Sequence, residues 1–254
     1  MPPFTAADGT ELAYHDSGSG APLLCLPGGP MQDSAYLGDL GGLAAHRRPI
    51  RLDPRGTGAS AAPADPASYR CDRLVDDVEA LRTHLGLDAV DLLGHSAGAD
   101  LAALYVSRHP DRVSRLVLVA PGTAAVGLDT PPEERLAAAR LRSAEPWFGP
   151  AYAALEEVTA GRGGAEAFAA VAPFLHGTWD GAARERHAES GRRRNDEAAA
   201  AHAGEGDVNT PPPTAAAYAA LFPRAELTVL PGAGHFPWHD APERFTATLN
   251  AFLA

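Results

Sequence analysis

AVDLLGHSAGADLAALYV, residues 89–106, is the stretch whose reading decides the fold. Residues 89–93 form a short, mostly apolar run of strand length, and Ala97–Arg108 carries apolar residues at helical spacing. Between them stands Gly94-His95-Ser96-Ala97-Gly98, a glycine–x–serine–x–glycine pentapeptide. A sharp turn from strand to helix exposes a serine hydroxyl, and flanking glycines keep the neighbouring backbone from clashing. The pentapeptide alone is a weak signal in a chain with 26 glycines, and its setting is what makes it specific.

Working outward, the same rhythm continues on both sides. Towards the N-terminus, residues 4–7 and 11–15 flank the turn pair Asp8-Gly9 and predict a hairpin. Residues 22–26 read as a strand running into Pro27-Gly28-Gly29-Pro30, and residues 49–53 as a strand followed by the turn Arg55-Gly56-Thr57-Gly58. Leu74, Val78, Leu81 and Leu85 predict a helix over 72–85, closed by Gly86. Beyond the pentapeptide, residues 115–120 (RLVLVA) predict a buried strand. Short apolar strands alternating with helices specify an α/β fold, with a mostly parallel sheet covered on both faces.

The rhythm breaks after Pro121. Residues 121–203 are rich in Ala, Arg and Glu and punctuated by Trp147, Phe148, Tyr152, Phe168, Phe174 and Trp179, a composition that predicts a helical insertion over the sheet. It resumes with a helix near 214–221, a strand at 226–230 and a last helix from Pro242. That helix has Asp240 as its expected cap and Phe245, Leu249 and Phe252 as its buried face. The expected division is a core of residues 1–120 and 204–254, with a helical cap of residues 121–203.

Composition narrows the chemistry. The chain has 254 residues and a formal charge of −11, which disfavours nucleic acid and anionic membranes as partners. The three consecutive arginines at 192–194 are the one basic run, read as a solvated helix face. All 21 basic residues are arginine, so Schiff-base chemistry and a Ser–Lys dyad are excluded. Cys25 sits in an apolar run as a core thiol, and with Cys71 it forms neither a metal motif nor a disulfide framework. No organic cofactor or metal is implied. With no signal segment and no apolar stretch long enough to span a bilayer, a cytoplasmic location is expected.

Serine needs a base before it becomes a nucleophile. Of ten histidines, His235 is favoured, because Leu230-Pro231-Gly232-Ala233-Gly234-His235 places it on a loop after a late strand. His95 adjoins the serine, but neighbouring residues on a tight turn point different ways, so it is assigned a structural role. His239 is a weaker candidate. An acid must orient the base, and Asp207 lies between the two in sequence, with Glu205 as fallback. The backbone N–H groups of Ala97 and of Gly29 are the expected oxyanion donors.

Together, LLCLPGGP, RLDPRGTGAS, DLLGHSAGADLAALYVSRHPDRVSRLVLVAP and LTVLPGAGHFPWHDAPERF resemble the α/β-hydrolase superfamily, and within it the prolyl aminopeptidase-like branch. The second segment resembles the family's D-x-R-G-x-G-x-S turn through Asp53, Arg55, Gly56, Gly58 and Ser60. Pro27 and Met31 replace the histidine and glycine usual in the oxyanion loop. GHSAG replaces the GGSWG typical of prolyl aminopeptidases, and residues 197–204 offer alanines where the family has an apolar strand before its acid.

The resemblance implies a serine hydrolase that cleaves a small, partly apolar ester or amide through an acyl-enzyme on Ser96. A prolyl aminopeptidase would use the same triad and need an acidic cap residue for the substrate amine, with Glu145, Glu156 and Glu157 as candidates. A non-catalytic binding module on the same fold is the third reading.

Overall fold

The computed structural model describes residues 3–122, 126–128, 130–196 and 212–254. Phe4–Thr5 (β1) and Glu11–Leu12 (β2) pair antiparallel around Asp8-Gly9, where Gly9 takes φ 87° and Asp8 Oδ1 accepts from Thr10 N–H. Tyr14–Asp16 (β3), Pro22–Leu26 (β4), Arg48–Leu52 (β5), Val90–His95 (β6) and Val113–Val119 (β7) then form a five-stranded sheet in the order β3-β5-β4-β6-β7. Only β3 runs antiparallel to its neighbour; the pairs β4–β5, β4–β6 and β6–β7 are parallel. The crossovers are helical, with Cys71–His84 (α1) leading into β6 and Ala97–Arg108 (α2) leading out of it.

Side chains alternate across the sheet as the period of a strand demands. Leu24 and Leu26 of β4 and Leu92 of β6 face a core completed by Leu74, Val78 and Leu81 of α1 and Tyr105 of α2. Leu23, Cys25 and Leu93 face the opposite core, built with Val117, Leu37, Leu43 and the C-terminal segment. Both faces are therefore dry, which accounts for the continuous apolar run of β4 and for Leu92-Leu93 of β6. Cys25 is fully buried and burial pushes its thiol up to about 12, in keeping with an inert core role.

Beyond β7 the regular elements among the described residues are helices: Pro132–Arg140 (α3), Phe148–Thr159 (α4), Ala165–Ala170 (α5) and Gly181–Arg192 (α6), then Pro212–Ala219 (α7). Pro237–Asp240 (α8) and Pro242–Leu253 (α9) close the fold.

Three expectations are corrected. Residues 226–230 form no strand. A strand needs a ladder partner, none of the described residues pairs with this segment, and Leu227 and Val229 stand about half exposed. Asp240 does not cap α9, whose N-cap position is Ala241; its carboxylate turns instead to the amides of Gly177 and Gly234. The buried face of α9 is Phe245, Thr246, Leu249 and Leu253, with Phe252 only partly covered.

The arginine run is also more than a solvated face. Arg193 pairs with Glu189 and reaches Asp33 at 3.2 Å, while Arg194 pairs with Asp196 and bridges by its backbone to Gln32. Gln32 Nε2 donates to Ser190 Oγ, and Asn195 Nδ2 to the carbonyl of Gly56. The end of α6 is thus fastened to the loops that follow β4 and β5.

Candidate active site

Three segments meet at the C-terminal ends of β4 and β6. The first is the turn between β6 and α2. Ser96 occupies it at φ 53°, ψ −125°, a region that L-residues avoid unless the surroundings impose it. Here they do. The Ser96 amide donates to Val119 O at 2.9 Å, and its carbonyl receives Ala99 N–H at 2.8 Å as α2 begins. Gly98 packs so closely on the carbonyls of Leu26 and Pro27 that a Cβ there would overlap both. Gly94 is in the same position against the backbone of Gly98 and Ala99. Both glycines of the pentapeptide are therefore fixed by close approach, Gly98 to the end of β4 and Gly94 to the first turn of α2.

The second segment is Pro27-Gly28-Gly29-Pro30, ending in a cis Gly29–Pro30 peptide. A Cβ on Gly28 would lie 2.7 Å from Ser96 Cβ and 3.3 Å from Ser96 Oγ, so this loop borders the hydroxyl directly. Gly29 has φ 117°, a conformation for glycine. The amide of Gly28 donates to Tyr36 Oη at 2.7 Å. Among the described residues, no acceptor takes the N–H of Ala97 or of Gly29.

The third segment is the loop bearing His235. Its imidazole lies 4.7 Å, centroid to centroid, from that of His95, beside the serine, and its amide donates to Leu175 O at 2.8 Å. The Asp240 carboxylate fastens the same loop, accepting from Gly234 N–H at 2.8 Å and from Gly177 N–H at 3.0 Å. Phe236 packs among His95, Tyr36, Trp238 and His176.

Of the residues singled out from the sequence, Ser96, Ala97, Gly29 and His235 lie on these three converging segments. Asp207 and Glu205 lie outside the described residues. The acidic candidates for an amine subsite are otherwise engaged: Glu145 pairs with Arg142, Glu157 pairs with Arg162 at the surface, and Glu156 is exposed. The described residues hold no cluster of His, Cys, Asp and Glu suited to a metal ion.

Asp53, Arg55 and Ser60 turn out to be architectural. Asp53 is fully buried and accepts from Ser34 N–H, Ser34 Oγ, Ala59 N–H and His15 Nε2. Burial alone would raise its carboxyl, but the amides of Ala59 and Ser34 outweigh that and hold it low. Arg55 forms a buried ion pair with Asp77 and a second contact with Asp8.

Sequence reasoning passed over Tyr36 and His176. Neither lies in a motif, and only the fold brings them to the site.

The chain belongs to the alpha/beta hydrolase fold family, whose model matches residues 21–178. It is 37% identical to a proline iminopeptidase of Heyndrickxia coagulans over 42% of this chain, spanning 38% of that protein's length. It is 32% identical to a 2-hydroxymuconate semialdehyde hydrolase of Pseudomonas sp. (strain CF600), over 98% of this chain and 92% of that protein. Among solved structures, an esterase from Thermogutta terrifontis superposes with a TM-score of 0.67 at 25% identity, covering 99% of this chain and 97% of the esterase.

Proposed function

We propose that the protein is a serine hydrolase that cleaves small, partly apolar esters or amides through an acyl-enzyme on Ser96. The observation that carries this is the forced backbone of Ser96, which stands at the mouth of a strand–turn–helix with the His235 loop and two glycines beside it.

His235 takes the Ser96 proton as Oγ attacks the substrate carbonyl. The oxyanion that forms is received by the N–H groups of Ala97 and Gly29. The amide of Gly28 is engaged by Tyr36 and Pro30 has none, which leaves Gly29 as the donor in that loop. His235 then returns the proton to the leaving group. In the second half-reaction it deprotonates the water that releases the acid and frees Ser96.

Asp207 is proposed as the carboxylate that orients His235, on the chain order Ser, Asp, His. The helices of residues 132–192 serve as a cap. Its aromatic residues Trp147, Phe148 and Phe174 pack on one another, and this composition suits an apolar acyl or leaving group.

The small-molecule reading draws further support from the relative matched along 92% of its length, itself a hydrolase. The prolyl aminopeptidase alternative is less favoured. Its amine needs an acidic partner, and Glu145 and Glu157 are paired with arginines while Glu156 faces solvent.

A panel of p-nitrophenyl acetate, butyrate and octanoate together with proline p-nitroanilide tests the assignment. Turnover of esters that disappears in Ser96→Ala is the expected result. Preferred cleavage of the prolyl anilide would move the assignment to the aminopeptidase, and Ser96-independent turnover would remove it.

A further inference from the structure

A continuous hydrogen-bonded chain runs through the site, linking its three segments. The amide of Gly28 donates to Tyr36 Oη at 2.7 Å, Tyr36 Oη lies 2.7 Å from His95 Nδ1, and His95 Nε2 lies 2.9 Å from the carbonyl of His235. The direction of every proton follows from its two ends. A carbonyl can only accept, so His95 carries its proton on Nε2. Its Nδ1 is then an acceptor, so Tyr36 donates to it, and the phenol oxygen is left to accept from Gly28.

From this we infer that His95 and Tyr36 are positioning residues for the hydrolysis assigned to Ser96. Together they set the loop of Gly28 and Gly29, the serine turn and the loop of His235 in register with one another. The inference rests on the Ser96–His235 reading given above.

The surroundings support one fixed state. His95 is 2% exposed and enclosed by the rings of Tyr36, His235, Phe236 and Trp238, at centroid distances of 4.7 to 5.6 Å. Burial first, and then the neighbouring His235, holds its imidazole well below the ordinary value, so it stays neutral. The charged groups that could act on it are His235 and His239. Protonation would place a donor on Nδ1 facing the Tyr36 hydroxyl. The phenol would then have to turn round and release Gly28, breaking the link between the two loops. The β6–α2 turn fixes Ser96 without help from this chain. What the chain fixes is the approach of its partners, where a misplacement of about 1 Å costs on the order of 100-fold in rate.

The test separates this role from the nucleophile assignment and from simple loss of fold. In Tyr36→Phe the ring remains and the hydroxyl is lost. The expected result is a fall in kcat of about 10- to 100-fold with KM changed by less than about threefold. The rate of Ser96 phosphonylation by a fluorophosphonate should fall in proportion, while the final labelling still reaches one per chain.

His95→Gln offers one amide donor and one carbonyl acceptor and should recover most of the rate; His95→Phe, which offers neither, should not. Independently of any variant, 15N spectra of the wild-type protein should show His95 as the Nε2–H tautomer throughout about pH 5 to 8. Tyr36→Phe with wild-type kcat and labelling rate would overturn the inference. So would an Nδ1–H tautomer or an imidazolium at His95, even if the variants fail to fold. Absence of Ser96 labelling in the wild type would instead remove the underlying assignment.

Discussion

The serine and its base are held in different ways. Ser96 is clamped by regular structure: a six-residue strand before it, a twelve-residue helix after it, and a ladder to β4 and β7 on either side. His235 lies on a loop whose preceding residues 226–230 pair with no strand among the described residues. Contacts to other segments that hold this loop include Leu175 O, the Asp240 carboxylate and the imidazole of His95. A nucleophile built into the sheet is set by folding itself, whereas a base on a tethered loop is set by a few polar contacts. Disturbing the first region should therefore cost stability, and disturbing the second should cost rate.

The largest effect expected from this contrast is on rate alone. His235→Ala should lower kcat by several orders of magnitude, up to about 10^6, with the melting temperature unchanged, since the side chain is half-buried and no strand depends on it. Steady-state ester hydrolysis and a thermal melt on the same preparation check both halves.

Gly98→Ala should do the reverse. The added methyl overlaps the carbonyls of Leu26 and Pro27, so the variant should lose at least about 1–3 kcal/mol in urea unfolding before any question of chemistry arises. Unfolding identical to wild type would show that the turn is not clamped as described.

Asp240→Ala should fall between these. It removes the acceptor shared by Gly177 and Gly234 and frees the His235 loop from the helical segment. A roughly tenfold fall in kcat is expected, with a stability loss of about 1 kcal/mol, smaller than that of Gly98→Ala, the amides being left without their carboxylate. Equal loss from Asp240→Ala and Gly98→Ala in both assays would erase the distinction between the two regions.

The smallest effect is on pH dependence. Burial, and then the nearby His187 and Arg186, pushes the His176 imidazole from 6.5 down to about 4. Between those values the unfolded chain binds a proton that the folded chain refuses. The stabilisation is therefore complete above pH 6.5 and declines as pH falls toward 4. His176→Phe, which can still stack on Phe236, should flatten that slope in urea unfolding carried out across the window.

The same contrast explains what was legible in the sequence. β4, α1, β6 and α2 could be read because each is a local pattern, apolar runs or helical spacing bounded by glycines, and neighbouring patterns agreed. The Ser96 turn was legible for the same reason. The strand expected at 226–230 was not realised, since strand character is settled by a partner and alternating Leu227 and Val229 supply only half of that requirement. Asp240 was misread as a helix cap. Nothing local distinguishes a carboxylate that caps its own helix from one that reaches Gly177, 63 residues away in sequence. Likewise the tight turn gives His95 a structural role but not its partners, and its link through Tyr36 to Gly28 emerges only when β4, β6 and the C-terminal loop are assembled.

Intact-mass labelling with a fluorophosphonate, followed by peptide mapping, tests the central claim most directly. One adduct per wild-type chain, located on Ser96, absent from Ser96→Ala and greatly slowed in His235→Ala, is the predicted result. No adduct on the folded wild-type chain, or an adduct that persists in Ser96→Ala, would contradict the assignment of Ser96 as an activated nucleophile.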